Sequence, residues 1–559
     1  MLKTSLSFFS KTVLFIGILQ ISYAQVPIGA WRFYPDFKAG KGIELADNQV
    51  YCYAKNGFFV YDKISNEATV LSKLDGFAES VPSRIYYAKE TKQLFIGYAS
   101  GGIDWAVLEG YQLPKKIIFF DKIAANKGSY DSKKINAFFL TTSYLYVATD
   151  FGIVLIDLKK EEVKDIYQLY DNDYPLAILN IFVSTNSIFV ATLNGVLEAK
   201  NDDKLNLKDQ KNWKTSSYLG FQNADFKKKT DEVNIFWQAD ATTGFSKTTA
   251  GKTTDITPKS INFEVESLHS LAGKVIAKGS DKASVFEQNQ WQATKADGLM
   301  QNQLNVGGFK WYLSFGDVVV ENPKTNQERR FGSYNSLNIS GDAVSLSVDR
   351  KGAVWVGTTN GVSVFDNPTE IFTAKAIIYQ PESLNKRLFF QEKVQAIVFD
   401  PANRKWVGTT NGLYLVDEAN KTLFNFTTEN SPIPQNSVQS LGFDDASGEV
   451  FILAGALVAS VRSDATMPAE NLDAYKIFPN PVPPRFDGVV AIEGLPANAQ
   501  VRIVDAAGRL LYETRPNGGT ATWNLQDTSG RNLETGVYFV LLQDETNTEK
   551  LIGKLAVLR

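Results

Sequence analysis

A glycine keeps returning to one register along most of this chain. Six segments carry it seven residues after a strand-starting residue: Val50 to Gly57, Leu94 to Gly101, Leu145 to Gly152, Ile188 to Gly195, Val354 to Gly361 and Lys405 to Gly412. An apolar-rich run follows each, as in Phe58 to Tyr61, Ile153 to Ile156 and Leu413 to Val416. A short strand thus ends at a polar pair, glycine turns the chain, and a second strand returns. Asn56-Gly57, Asn194-Gly195, Asn360-Gly361 and Asn411-Gly412 predict type I′ turns, whose two central residues take positive φ.

Strands upstream, Val344 to Val348 and Val394 to Phe399, and a looser one downstream, Thr422 to Thr427, complete a four-strand unit. Clear hairpins start at 50, 94, 145, 188, 275, 354, 405 and 450. Weak copies near Val233 to Gly244 and Trp311 to Val320 fill the two wide gaps, and the mean period is about 44 residues. That is the period of a β-propeller blade, which buries its faces only by stacking radially on its neighbours. A β-helix repeats faster, and separate β-domains need linkers that these repeats lack. The expectation is an all-β fold with about ten four-stranded blades over residues 26–465. Ten exceeds the roughly four to eight blades of one ring, which favours two propellers. The degenerate copies between about 200 and 345 hide the split.

Composition narrows the chemistry. Lys+Arg 58 against Asp+Glu 61 gives a net charge of −3, which argues against nucleic acid as a partner. One His and one Cys exclude an intrachain disulfide and a zinc site built from several such ligands. Cys52, in Val50-Tyr51-Cys52-Tyr53, reads as a buried small hydrophobe, and His269 as an ordinary strand or turn residue. Met1 to Ala24 reads as a secretory signal peptide: Lys3 and Lys11, a short apolar core from Thr12 to Ile21, then Ser22-Tyr23-Ala24. Cleavage between Ala24 and Gln25 would leave 535 of the 559 residues, exported and with no helical membrane span.

Individual motifs carry little chemistry. Asp171-Asn172-Asp173 lacks the spaced oxygen ligands of a calcium loop. The hairpin around Asp349 resembles an Asp-box one residue too long and reads as turn chemistry. Lys227-Lys228-Lys229 and Arg329-Arg330 read as solvated loops rather than an anionic-glycan site. No catalytic, metal or cofactor residue is assigned. A carboxylate pair assembled from distant blades leaves a polysaccharide hydrolase or lyase as one alternative.

Composition shifts at Met467-Pro468-Ala469, and residues 470–559 read as a small Ig-like β-sandwich of six or seven strands. Phe478-Pro479-Asn480-Pro481, Val504-Asp505-Ala506-Ala507-Gly508-Arg509, Trp523-Asn524, Gly536 to Val540 and the terminal Gly553 to Arg559 resemble the C-terminal sorting domain of type IX secretion in Bacteroidetes. Gly29-Ala30-Trp31, Asn56 to Asp62, Gly102-Ile103-Asp104, Lys133 to Asn136 and Ala148 to Val154 are similar to the N-terminal propeller of the PorZ family. The Val354 and Lys405 repeats are similar to the propeller repeats of two-component regulators.

The PorZ resemblance implies two seven-bladed propellers, about four blades more than this chain offers. It also implies a non-enzymatic role at the cell surface, attached to the outer membrane, with a PorU-like sortase and a PorV-like outer-membrane protein as partners. Binding of anionic lipopolysaccharide and a retained C-terminal domain follow from it too, but no residue-level ligand site does. A secreted propeller adhesin or glycan-binding cargo using the same exit is the other alternative.

Overall fold

The computed structural model describes residues 27–559 apart from 109–113, 115, 126–130, 172–173, 203, 218–226, 231–234, 259, 262, 295–301, 334–338, 374, 471–474 and 544–548. The Ala24–Gln25 cleavage point lies outside the described residues.

Among the described residues up to Arg462, ten four-stranded antiparallel sheets follow one another. We number them as blades 1 to 10: 40–71, 82–120, 135–167, 180–215, 228–255, 267–294, 303–331, 343–379, 394–426 and 438–462. The weak copies are real blades, with hairpins Ile235–Asp240 to Gly244–Thr249 in blade 5 and Phe309–Ser314 to Asp317–Asn322 in blade 7.

The hydrophobic clusters show how the blades close. Successive clusters join blades 1 to 2, 2 to 3 and 3 to 4, and another returns from blade 5 to blade 1, packing Trp237 and Phe245 against Phe37, Cys52 and Phe59. A second set joins blades 7 to 8, 8 to 9 and 9 to 10, and a fourth returns from blade 6 to blade 10. The molecule is therefore two rings of five, not of seven. The second ring borrows its last strand: Trp31–Tyr34 pairs antiparallel with Leu457–Arg462 as the outermost strand of blade 10. The whole first ring is inserted between that strand and the rest of the second ring. Phe37 and Ile256 are buried where the chain enters and leaves the first ring.

Arg32 fastens this closure. Its Nε lies 3.2 Å from Oε2 of Glu449, a buried carboxylate that also accepts from Ser460 Oγ at 2.7 Å.

The turn chemistry differs from the type I′ expectation. Asn56, Asn194, Asn360 and Asn411 do not have positive φ, whereas Gly195, Gly361 and Gly412 do. The two-residue turns are Leu193-Asn194 and Thr359-Asn360, so the glycine falls one place later, as after a type I turn. A threonine makes the turn: Thr358 Oγ1 donates to Gly361 O at 3.0 Å and accepts from Asn360 N at 3.1 Å. Thr149, Thr192 and Thr409 repeat this bond to the residue three places on. Its hydroxyl supplies a local partner for turn backbone that the ladder leaves unpaired.

The residue before that threonine is small for a different reason. A Cβ on Gly408 would lie 2.5 Å from Cγ1 of Val438, the first residue of the next blade's inner strand. A Cβ on Gly357 would meet Ser345 Oγ of its own blade as well as Val394 of the next, and one on Gly97, which precedes Tyr98, would lie 2.6 Å from Cγ2 of Ile135.

The tail is a β-sandwich. Lys476–Phe478, Val490–Glu493 and Thr520–Trp523 form one sheet, and Leu510–Thr514, Gln500–Val504, Gly536–Gln543 and Glu549–Val557 the other. Trp523, Val501, Val540 and Leu555 fill the space between them.

Two substitutions test these seams by chemical denaturation. Gly408→Val overpacks the boundary of blades 9 and 10, and is expected to cost about 1–3 kcal/mol. Arg32→Ala strands the Glu449 carboxylate, and is expected to cost about 3–5 kcal/mol, with the loss confined to the second ring. Unchanged midpoints would contradict both assignments.

Candidate functional site

Two places in the second ring combine shape with unusual chemistry: its central channel, and its junction with the tail.

The innermost strands of blades 6 to 10 surround a cavity of about 420 Å³. Each inner strand has one edge with no fifth strand to pair with, so its peptide groups need other partners. Neighbouring blades supply them. Ser440 Oγ accepts from Leu268 N at 2.9 Å and donates to Leu268 O at 3.2 Å. Ser270 Oγ accepts from Phe443 N at 2.9 Å, and Gln395 Nε2 reaches Val438 O at 3.1 Å.

His269 lines the channel. Its ring Nε2 lies 2.9 Å from Ser267 Oγ, and burial, helped by the nearby charge of Lys278, holds its pKa below the ordinary value, so it is neutral at pH 7.

A belt runs along one end of the channel. Arg350, from blade 8, passes Phe399 O and Asp400 O of blade 9, each 3.3 Å away, and reaches Asp445 of blade 10 at 2.5 Å. Asp445 N donates in turn to Gly273 O of blade 6 at 2.9 Å. Asp349, beside it, folds back on its own turn: it accepts from Lys351 N and Ala353 N at 2.9 Å and from Trp355 Nε1 at 3.0 Å. The Asp-box-like hairpin is indeed turn chemistry.

The tail is joined to this same end. Arg404 lies in a turn of blade 9, with its guanidinium 2.7 Å from Asp400 Oδ2 and 2.6 Å from Asp464 Oδ1. Burial raises the Asp400 carboxyl even against the pull of Arg404. Asp464 passes the contact on, accepting from Asn517 Nδ2 of the tail at 2.7 Å. Gly519 N donates to Thr466 O at 2.7 Å, and the Thr466 and Thr520 hydroxyls are 2.8 Å apart. Arg462, at the end of its strand in blade 10, is ion-paired with Glu493 of the tail, both side chains being buried.

The other candidates disperse. Cys52 is buried in the core between blades 1 and 5. Asp171 is exposed, and Asn172 and Asp173 lie outside the described residues. Lys229 faces Glu44 at 3.5 Å, Arg330 pairs with Glu328 at 2.7 Å, and Arg329 donates to Ile371 O. Sequence reasoning missed Arg350, Arg404, Arg462 and Glu493, since the partners that give them their place here, Asp445, Asp464 and each other, lie far away in the chain. His269 was a visible singleton, but nothing local marked its strand as innermost. Among the described residues, no helix is long and apolar enough to cross a membrane.

The chain aligns over 95% of its length with all of the solved PorZ chain of Porphyromonas gingivalis, described as an essential bacterial surface component of the type-IX secretion system, at 17% identity and a TM-score of 0.62. The extracellular domain of the putative one component system BT4673 from B. thetaiotaomicron aligns at 14% identity, over 93% of this chain and 86% of that one, with a TM-score of 0.26. No curated protein sequence matches the chain. Residues 50–214 match the family model for the N-terminal β-propeller domain of PorZ in that system, and residues 476–555 match the model for the secretion system C-terminal sorting domain. Residues 50–214 are therefore a PorZ-type N-terminal propeller domain and residues 476–555 a secretion-type sorting domain, and the chain as a whole is PorZ-like in fold.

Proposed function

We propose that the chain is a non-enzymatic component of the attachment complex of the type IX system. It is exported, held at the cell surface on the outer membrane, and retains its C-terminal domain. It works beside a PorU-like sortase and a PorV-like outer-membrane protein, binds anionic lipopolysaccharide and supports sortase-mediated maturation of cargo.

One observation carries this reading: the sorting domain is welded to the propeller by buried charges. Arg462 with Glu493, and Asp400-Arg404-Asp464 with Asn517, fix the tail against blades 9 and 10. A tail destined for removal has no use for such a joint. An adhesin that merely shares the exit would be better served by an exposed linker. Yet Ser463, Ala465 and Thr466 are buried in the junction. For a polysaccharide hydrolase the carboxylates lining the channel are poorly placed, as Asp349 is committed to its turn and Asp445 to Arg350.

Deleting the gene is expected to leave other secreted proteins with uncleaved C-terminal domains, read by intact mass. The surface form of this protein itself is expected to begin at Gln25 and to keep the residues beyond about 470. Normally matured cargo in the deletion strain, or loss of the residues beyond about 470, would overturn the reading. Glu493→Ala leaves the Arg462 charge buried without its partner, and is expected to cost about 3–5 kcal/mol. Limited proteolysis should then release the tail from an otherwise folded propeller.

A further inference from the structure

We propose that the cavity in the second ring binds a single uncharged pyranose, either a free sugar or the end of a neutral glycan. Its volume of about 420 Å³ sits at the small end of the roughly 300–1,000 Å³ range of small-ligand pockets, enough for one or two sugar rings. The belt of Arg350 and Asp445 lines one end, with Met467 Sδ of the junction 4.0 Å from Arg350 Nη1. That arrangement suits a chain end rather than a polymer threading through.

The class of guest follows from what the wall atoms still offer. Asn302 gives Nδ2 to Val344 O at 3.2 Å and keeps its carbonyl oxygen. Gln395 uses Nε2 on Ser437 Oγ and Val438 O, at 3.0 and 3.1 Å, and keeps its carbonyl oxygen too. Gln439 accepts from Gly455 N at 2.8 Å and keeps its amide hydrogens. Gln303, Ser347 and the neutral imidazole of His269 complete the polar wall. The wall thus offers both acceptors and a donor, as sugar hydroxyls demand, because each hydroxyl both donates and accepts. Leu304, Leu346 and Ile397 border the cavity, while their side chains pack in the cores between blades 7, 8 and 9.

Charge sets the second half of the assignment. Arg350 is matched by Asp445 and Asp349 is engaged in its own turn, so no unmatched charge among these groups greets a guest. An anionic sugar would lose its hydration without gaining a counter-ion. The first ring makes the contrast: its inner strands bury Glu44 and Arg84, with Lys229 3.5 Å from Glu44. The neutral guest is distinct from anionic lipopolysaccharide, and the proposal stands or falls apart from the cargo and tail experiments.

The one histidine of the chain gives one imidazole resonance, a reporter placed in the cavity wall. The full mature chain, labelled at histidine and free of any tag, is titrated with methyl glycosides of glucose, mannose and galactose, and separately with glucuronate and glucose 6-phosphate. At least one neutral glycoside is expected to shift the signal saturably, and to show transferred Overhauser contacts to the His269 ring. The charged sugars are expected to bind at least about tenfold more weakly. Gln303→Ala combined with Ser347→Ala should abolish the shift at an unchanged melting temperature. No shift with any neutral glycoside, equal or tighter binding of the charged sugars, or a shift without contacts to His269 would each overturn the proposal. The contacts are read on the unaltered chain, so the test holds whether or not the double variant folds.

Discussion

A propeller blade is a sheet with two apolar faces and an inner edge that no further strand will cover. Everything in this molecule follows from satisfying those three surfaces at once. The faces are closed by the next blade, and the closure is tight enough that Gly97, Gly357 and Gly408 are small because the following inner strand begins against them. The edge is closed by side chains reaching from the neighbouring blade, as Ser440 does for both peptide groups of Leu268. Asn136 makes the same reach to Ile178 O in the first ring, at 3.0 Å. Packing and edge satisfaction therefore share one interface, so a blade out of register forfeits both.

That coupling explains what could be read from the chain beforehand. The recurring glycine marks the hairpin because a strand-turn-strand unit is local, and its period fixes the blade. Cys52 in its apolar run was readable for the same reason. The turn type was misjudged because Asn-Gly draws attention to its own φ angles, while the deciding atom is a threonine hydroxyl two residues earlier. Thr149, Thr192, Thr358 and Thr409 stood in plain view, each three places before its glycine. Ring membership was not readable. Nothing in Trp31–Tyr34 says that this strand will skip nine blades and complete the sheet of Val438–Asp444, since pairing at that separation depends on the finished ring.

The junction was hidden for a related reason. Arg404, Arg462 and Glu493 look like ordinary surface charges until their partners arrive from other elements. Buried ion pairs add little net stability compared with well-packed apolar contacts, yet breaking one is costly. Such a joint is thus poor glue but a good register pin, and it specifies one orientation of the tail. The sorting signals in the tail were legible because they are local sequence. That the tail is docked, rather than trailing, became visible only in three dimensions.

Ring size then governs what the channel can do. Seven blades per ring, as the family resemblance implied, set the inner strands further apart than five do. With five, a serine or glutamine on one inner strand spans to the backbone of the next, as Gln395 does to Val438. In the second ring the side chains that make these reaches, Ser270, Gln395 and Ser440, are short and uncharged. Charges do occur at the belt, but there Arg350 and Asp445 neutralise each other while tying blades 8, 9 and 10 together beside Met467 of the junction. Ring size alone does not make a channel neutral, since the first ring also has five blades and buries Glu44 and Arg84 in its inner strands; in the second ring it is the choice of side chains that does so, and the one charged end lies against the element that docks the tail.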